Sequence, residues 1–202
     1  MAYGVDPVSG ERWLLDWERG RDEDEESWRK LLERLLARGL NAERGLELFV
    51  HDGSAGLEKA FEIVYFGQGV ERQRCIFHKL RNVTKRVPKS IQAECLARAK
   101  KIYLANSRRE AVAQFKEWAG KSREQVPDAV ACIEKDLEEL LSFFKCPKED
   151  WRKVRTTNAI ERSFREVRRR TRPMSCFNNN DSCRRILYGV FHHLNKHWQE
   201  HA

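Results

Sequence analysis

Short apolar runs alternate with amphipathic segments of helical periodicity through the first 80 residues. The runs with strand character are bounded by turn residues, and the helical segments repeat their apolar side chains every three or four residues. The predicted elements are a β-hairpin at residues 2–5 and 12–17, a helix at 28–36, a strand at 46–51, a helix at 57–64 and a strand at 71–77. This order, β-β-α-β-α-β, predicts an α/β fold with adjacent antiparallel strands at its start.

The remainder of the chain has the pattern of helices. Between residues 79 and 151 the strand signals disappear, and the clearest apolar stripe at helical spacing runs from Ile133 to Phe144. Two further helices are predicted, one within residues 155–172 and one from about Asp181 to His197. We therefore expect an N-terminal part of the core at 1–78, a helical insertion at 79–151, and C-terminal basic helices that complete the core at 152–202.

The positive charge of the chain is concentrated near its C-terminus. The net charge is +8, and residues 151–202, with 12 Lys or Arg against 4 Asp or Glu, account for all of it. A basic region on an otherwise neutral body favours a polyanionic partner. A membrane is a less favoured partner, because the arginine-rich helix lacks a broad apolar face and no apolar run approaches the ~20 residues that span a bilayer.

The cysteines indicate the compartment. The six cysteines have no disulfide-framework spacing, and no secretory signal opens the chain. We therefore expect reduced thiols in a cytoplasmic protein.

The helix predicted within residues 155–172 combines a carboxylate with a row of arginines. At about 100° per residue, one stripe holds Glu161, Arg165, Arg168 and Arg172, and a second, apolar stripe holds Ile160, Phe164 and Val167. Metal-dependent phosphoryl transfer on DNA requires carboxylates for the cations and guanidinium groups for the backbone. The alternative is structural, because Asn158 followed by Glu161 also has the spacing of a helix capping box.

Asp52 stands at the end of the predicted strand 46–51 and precedes Gly53. Open α/β sheets bind their ligands at the carboxyl ends of strands, so the position suits a metal ligand. An Asp-Gly pair after a strand is also an ordinary turn in which the Asp caps the next helix. The pairing of Asp52 with Glu161 favours the metal site, because one carboxylate on a strand and one on a later basic helix match enzymes that use two metal ions.

Cys75 and His78 form an isolated C-x-x-H pair. A structural zinc ion needs four ligands, and no second pair of close spacing is present. A cysteine nucleophile with a histidine base would need an orienting third residue, which the sequence does not identify. We therefore expect Cys75 to be a small buried side chain, and His78, beside Lys79 and Arg81, to contact phosphate or to lie next to the carboxylate site.

Three spaced motifs together resemble the bacterial transposases of the mutator type, and the similarity covers essentially the whole chain. The motifs are Asp52-Gly-x-x-Gly-Leu-x-Lys-Ala60, Gln73-Arg-Cys-x-x-His78-x-x-Arg-Asn82, and Arg155-Thr-Thr-Asn-x-Ile-Glu161 followed by Arg165-Glu-Val-Arg-Arg-Arg170. Three motifs in the expected order are far more specific than any one of them.

The resemblance implies an RNase H-like mixed sheet and a DDE triad of carboxylates that binds two divalent cations, Mg²⁺ or Mn²⁺. A helical insertion would separate the second acid, which Asp52 matches, from the third, which Glu161 matches. The implied substrates are double-stranded DNA, both transposon ends and target, with action at the nucleoid and a homo-oligomer as a further possibility. The implied DNA-binding residues are Arg155, Arg165, Arg168, Arg169 and Arg172, and the implied neighbours of the active site are Cys75, His78, Arg81 and Asn158.

One part of the family pattern has no counterpart here. The first aspartate of the triad belongs to an opening strand before the hairpin, and this chain starts inside the second strand, at residues 2–5; neither Asp6 nor Asp16 matches the missing ligand. We therefore expect a truncated transposase, without its first strand and first catalytic aspartate, and with reduced or no activity. The alternatives are a non-catalytic DNA-binding remnant and an RNase H-like nuclease or resolvase.

Overall fold

The structure is a computed structural model that describes residues 1–20, 24–174 and 176–200. Within these ranges the chain is an α/β protein in which helices predominate, as the sequence predicts. The strands are β1 (Ala2–Val5), β2 (Arg12–Asp16), β3 (Leu48–His51) and β4 (Glu71–Arg74). The helices are α1 (Glu25–Ala37), α2 (Ala55–Val64), α3 (Ile76–Thr84), α4 (Gln92–Leu104), α5 (Arg108–Ser122), α6 (Pro127–Lys135), α7 (Leu137–Leu140), α8 (Trp151–Val154), α9 (Asn158–Thr171) and α10 (Asn180–Glu200).

The four described strands form two separate pairs. β1 and β2 are an antiparallel hairpin, whereas β3 and β4 are parallel, with Leu48 opposite Glu71 and His51 opposite Arg74. Parallel pairing places the carboxyl ends of β3 and β4 at the same edge. Residues that directly follow these two strands are therefore neighbours.

Helices α1 and α2 pack against each other through their apolar faces. α1 begins after Asp24, whose side chain accepts a hydrogen bond from the Ser27 N–H at 2.7 Å, and it ends before Gly39, whose φ of +94° favours glycine. The buried residues between α1 and α2 include Leu31, Leu32, Leu35, Leu57, Ala60 and Phe61. This layer also contacts Phe49 of β3, so it supports the parallel strand pair.

The largest core of the described residues lies within the helices α3 to α7. Its fully buried side chains include Val83, Ala99, Ile102, Val130, Ile133, Leu140 and Phe143. A third, small core joins Leu14 of β2 to α10. There the Asn195 side chain accepts a hydrogen bond from the Leu14 N–H at 2.7 Å and donates one to the Leu14 carbonyl at 3.1 Å, so α10 is tied to the backbone of β2.

Three sequence predictions differ from the structure. The strand predicted at 71–77 ends at Arg74, because the ladder with β3 ends there and α3 begins at Ile76. The apolar stripe from Ile133 to Phe144 is not one helix, since the chain breaks at Asp136 between α6 and α7. The apolar stripe of α9 is only partly covered, since 40% of Phe164 is exposed. The buried residue of this helix is Ser163, which is polar.

All six cysteines are free thiols. No helix in the described part of the chain combines the length and apolar character needed to cross a membrane.

Candidate active site

The carboxyl edge of the parallel strand pair brings Asp52 beside Cys75. Asp52 follows β3 and Cys75 follows β4, and the Cys75 N–H donates to the His51 carbonyl at 2.7 Å, which extends the contact one residue past the ladder. Asp52 Oδ1 accepts a hydrogen bond from the Ser54 N–H at 3.0 Å. This local turn is not a helix cap, since the N-cap of α2 is Ser54. The turn of the alternative interpretation is therefore present, but Asp52 is not the N-cap of α2.

Gly53 and Arg74 fix the turn that carries Asp52. The φ of Gly53 is +88°, a region that side chains disfavour, and a Cβ built there would lie 1.6 Å from the Arg74 Cζ. Arg74 Nη2 donates to the Gly53 carbonyl at 3.3 Å, and Arg74 Nη1 pairs with Glu58 of α2. A side chain at position 53 would be strained at this φ and would displace the guanidinium group of Arg74 from its contact with Glu58.

The chain enters α9 against the end of β4. The Ile76 N–H donates to the Arg155 carbonyl at 3.1 Å. The Thr157 N–H and hydroxyl lie 3.3 and 3.4 Å from the buried Cys75 Sγ. Cys75 thus has the small buried side chain that the sequence predicts. It contacts Thr157, the N-cap of α9.

Glu161 meets His78 at the start of α9. His78 Nε2 lies 3.6 Å from Glu161 Oε1, and His78 Nδ1 lies 3.3 Å from Cys75 Sγ. Contacts therefore run from His51, the residue before Asp52, through Cys75 and His78 to Glu161. Through His78 and Cys75, Glu161 is linked to the end of β4, which pairs with the end of β3 that Asp52 follows. The side chain of Glu161 is 43% exposed, so its oxygens are accessible to a ligand.

The capping-box alternative for Glu161 is wrong. The N-cap of α9 is Thr157, with no hydrogen bond from its side chain, and Asn158 is an exposed first residue of the helix. Glu161 is therefore not needed to close the helix start.

Two carboxylates are the oxygen ligands that this edge offers to a cation. Asp52 and Glu161 suit a hard cation such as Mg²⁺ by the chemistry of their donors. Among the described residues, no group of three or more His, Cys, Asp or Glu side chains is arranged to hold a metal ion. A complete cation site would need further ligands beyond these two.

A buried charged network, which the sequence analysis missed, lies behind the Asp52 turn. The side chain of His51 is 1% exposed, with Nδ1 3.8 Å from Glu58 and Nε2 3.4 Å from Glu139 of α7. Neither distance corresponds to a hydrogen bond of good geometry. The contact with His51 and the charge of Arg72, which binds Glu139 at 2.7 Å, hold the pKa of Glu139 below its usual range.

The same network ties α3 to the boundary of α6 and α7. The buried Lys79 ammonium group pairs with Asp136, and Arg74 Nε lies 3.8 Å from the same carboxylate. The boundary of α6 and α7 therefore contacts the end of β4 and α3 through charges. Lys79 and Asp136 are 57 residues apart in sequence, and no local periodicity could have paired them.

The arginines predicted to bind DNA occupy three different environments. Arg165, Arg168 and Arg172 are exposed on α9, and no ion pair involves them in the part of the chain that the structure describes. Arg169 is held by two hydrogen bonds, of 2.9 and 2.7 Å, to Glu166. Arg155 is half-buried, and its Nη1 donates to the Tyr103 carbonyl of α4 at 3.0 Å, so it anchors the entrance of α9 to the insertion.

Comparison with known proteins gives a consistent set of relatives. A family profile described as "Transposase, Mutator family" matches residues 1–201. The chain is 32% identical over 200 residues to the transposase for insertion sequence element ISRM5 of Rhizobium meliloti, covering 99% of this chain and 49% of the relative. It is 35% identical over 203 residues to the transposase for IS406 of Burkholderia multivorans, covering 98% and 50%.

A third relative agrees with these two. The transposase for IS6120 of Mycolicibacterium smegmatis is 39% identical over 165 residues, covering 82% of this chain and 50% of the relative. The chain thus spans about half the length of the curated relatives it matches.

Proposed function

The chain belongs to the Mutator family of transposases, and we propose that it is part of the catalytic core of an enzyme that cuts and joins double-stranded DNA during transposition. The observation that carries the proposal is the contact of His78 with Glu161 at the strand edge that also bears Asp52. That contact supports a shared site for the two motif carboxylates at this edge. The exposed arginine stripe of α9 begins one helical turn after Glu161.

We propose that Asp52 and Glu161 bind the divalent cations, Mg²⁺ or Mn²⁺. When bound, such cations activate a water molecule or a DNA 3′ hydroxyl for attack on a phosphodiester. The protein's own residues would do the positioning. The Gly53 turn under Arg74 fixes the backbone of Asp52, and His78 restrains the carboxylate of Glu161. Arg165, Arg168 and Arg172 would bind the phosphates that lead away from the site.

We further propose that the two strand pairs belong to one RNase H-like mixed sheet. β1 pairs with β2 only and β3 with β4 only in the described residues, so each pair has an open edge. Exposed strand edges are normally paired or covered. A strand between β1 and β3 would join the pairs, and its end would lie beside Asp52, where a further carboxylate ligand is needed.

Cation binding tests the catalytic part of this proposal. Mn²⁺ titration followed by electron paramagnetic resonance should detect weak binding, because two carboxylates form an incomplete cage. Asp52→Asn and Glu161→Gln should each weaken it at least tenfold. Glu124→Gln, which removes an exposed carboxylate of the insertion, is the matched control and should have no effect. Unchanged Mn²⁺ affinity in either site variant would contradict the proposal.

DNA cleavage and joining test the reaction itself. Any nicking or strand transfer by this chain should require Mg²⁺ or Mn²⁺ and be lost in Glu161→Gln. We expect the rate to be low, since the described residues offer two carboxylates rather than three. Joined products separate a transposase from a nuclease or resolvase, which would yield only cut ends. Activity that survives the loss of Glu161 would overturn the assignment of that residue.

A non-catalytic DNA-binding protein is the second candidate function. It is favoured by the lack of a group of three metal-ligating side chains in the described ranges, together with the exposed arginines of α9. In that case the affinity for duplex DNA would fall steeply with salt but would not respond to chelation of divalent cations. The transposase proposal expects tighter DNA binding with Mg²⁺ than with a chelator, because bound cations also contact phosphate.

A further inference from the structure

We propose that the end of α3 and the turn that follows it provide a second surface for the DNA backbone, in addition to the α9 stripe. We call it the α3 basic surface and define it by Arg81, Lys85, Arg86 and Lys89. It rests on the proposed function, since it takes the partner to be duplex DNA. The surface lies outside residues 151–202, where the net positive charge of the chain is concentrated.

The α3 basic surface lies in a segment without any acidic residue. Residues 72–93 contain seven Lys or Arg and no Asp or Glu. The first three cations are neutralised by distant carboxylates: Arg72 by Glu139, Arg74 by Glu58 and Lys79 by Asp136. The remaining four are exposed, and none forms an ion pair with any residue the structure describes. Their positive charge is therefore available to a polyanion.

The position of this charge relative to the active site supports DNA as the partner. His78 faces Glu161, at 3.6 Å. At about 100° per residue, Arg81 and Lys85 follow His78 on the same side of α3. The basic surface thus starts at the carboxylate and extends about 10 Å along the helix, at 1.5 Å per residue. That length corresponds to about three phosphate steps of one DNA strand, which are 3.4 Å apart along the axis.

Three other exposed cations of residues 79–151 differ from these four. Arg98, Lys121 and Arg123 pair with Glu94, Glu117 and Glu134 on their own or neighbouring helices, which is typical of a solvated helix face. Their charge is locally balanced. The four residues of the α3 basic surface lack such partners in the described ranges, although His78 of α3 contacts Glu161.

The salt dependence of DNA binding tests the proposal. The affinity of the full 202-residue chain for a fluorescent duplex would be measured over a series of salt concentrations. The triple variant Arg81→Ala, Lys85→Ala, Lys89→Ala should lower the slope of log K against log salt by about 2 to 3, since each phosphate contact contributes about 0.9. The affinity at moderate salt should fall at least tenfold.

A charge-matched triple variant is the control. Lys100→Ala, Arg109→Ala, Lys116→Ala removes three exposed insertion cations that form no ion pair with described residues. It changes the net charge equally, and its slope should fall by less than 1. Both variants should keep the wild-type melting temperature. Equal losses in the two variants would overturn the α3 basic surface, because net charge alone would then explain them.

The outcomes also separate this inference from the proposed function. If the wild-type chain binds no duplex DNA, the proposed function fails. If Arg165→Ala with Arg168→Ala weakens binding while the α3 variant behaves as its control, only the α3 basic surface is refuted. A reduced salt slope in both the α9 variant and the α3 variant, with little change in the control variant, would support two separate DNA contacts, one on α9 and one at the α3 basic surface.

Discussion

Gly53 is the residue whose replacement has the most direct structural consequence for the site. Gly53→Ala should destabilise the protein by about 2 kcal/mol more than Gly67→Ala, measured by urea unfolding. Both glycines have a positive φ, of +88° and +72°, so both variants bear the backbone strain of about 1–2 kcal/mol. Only the new methyl group at position 53 meets Arg74 and displaces it from Glu58. Equal losses would show that Arg74 does not clamp the turn.

Asp52 and Glu161 could be proposed as site carboxylates from sequence, whereas the charged contacts around the Asp52 turn could not be predicted. Asp52 follows an apolar strand and Glu161 shares a helix face with arginines, and both signals are local. Arg74 and His51 act through Glu58 and Glu139, which are distant in sequence and come close only in the folded chain. Local periodicity contains no information about such pairs.

Lys79 connects α3 to the boundary of α6 and α7, and this connection predicts an unequal effect of two lysine variants. Lys79→Ala should cost about 3 kcal/mol or more in the free energy of unfolding, because it leaves the mostly buried Asp136 without its partner. Lys121→Ala is the control. It removes an exposed i,i+4 pair with Glu117 and should cost about 0.5 kcal/mol or less. Similar losses for both would contradict a structural role of the buried pair.

The C-terminal part of α9 contains a carboxylate whose titration reports on two arginines. Hydrogen bonds from Arg169 and Arg170 lower the pKa of Glu166 to about 2, from an ordinary value of 4.5. Because the pKa is depressed in the folded state, the interaction stabilises α9 fully above pH 4.5 and is lost as pH falls from 4.5 towards 2. Carbon-13 NMR of the Glu166 carboxyl group should show this low pKa. Arg169→Ala should raise it, and a titration at the ordinary value in the wild type would contradict the two bonds.

Elements with a regular amphipathic pattern were predictable, and those shaped by tertiary contacts were not. The hairpin, α1 and α10 agree with the sequence to within a few residues because their patterns are continuous. The apolar stripe after Ile133 is interrupted at Asp136, whose side chain is held by Lys79. Phe77 continues the apolar run after β4, yet it belongs to α3 because the partner strand ends at His51.

At the scale of the whole molecule, the unequal cores predict unequal local stability. The core of the helices α3 to α7 contains nineteen buried apolar residues, against four in the core that joins β2 to α10, counted over the described ranges. Local opening costs least where few apolar contacts are lost. Backbone amides of α5 and α6 should therefore exchange with deuterium much more slowly than those of β1 and β2. Equal protection of the hairpin would contradict this order.

The family and the α/β class followed from the sequence, but the division of the strands did not. Three motifs in order were sufficient for the family, which the profile match confirms. The sequence predicts four strands in one incomplete sheet, whereas in the described residues the strands form two separate pairs. Strand pairing depends on which edges meet in space, and no single strand encodes its neighbour.

The central claim is that Asp52 and Glu161 share a cation, and iron-directed cleavage of the chain tests it most directly. Fe²⁺ bound in place of Mg²⁺, with ascorbate and peroxide, cleaves the backbone that surrounds the ion. Our account predicts cuts near both residues 51–54 and 157–162, suppressed together by excess Mg²⁺ and lost together in Asp52→Asn or Glu161→Gln. Cuts near only one segment, or cuts near Asp52 that persist without the Glu161 carboxylate, would contradict it.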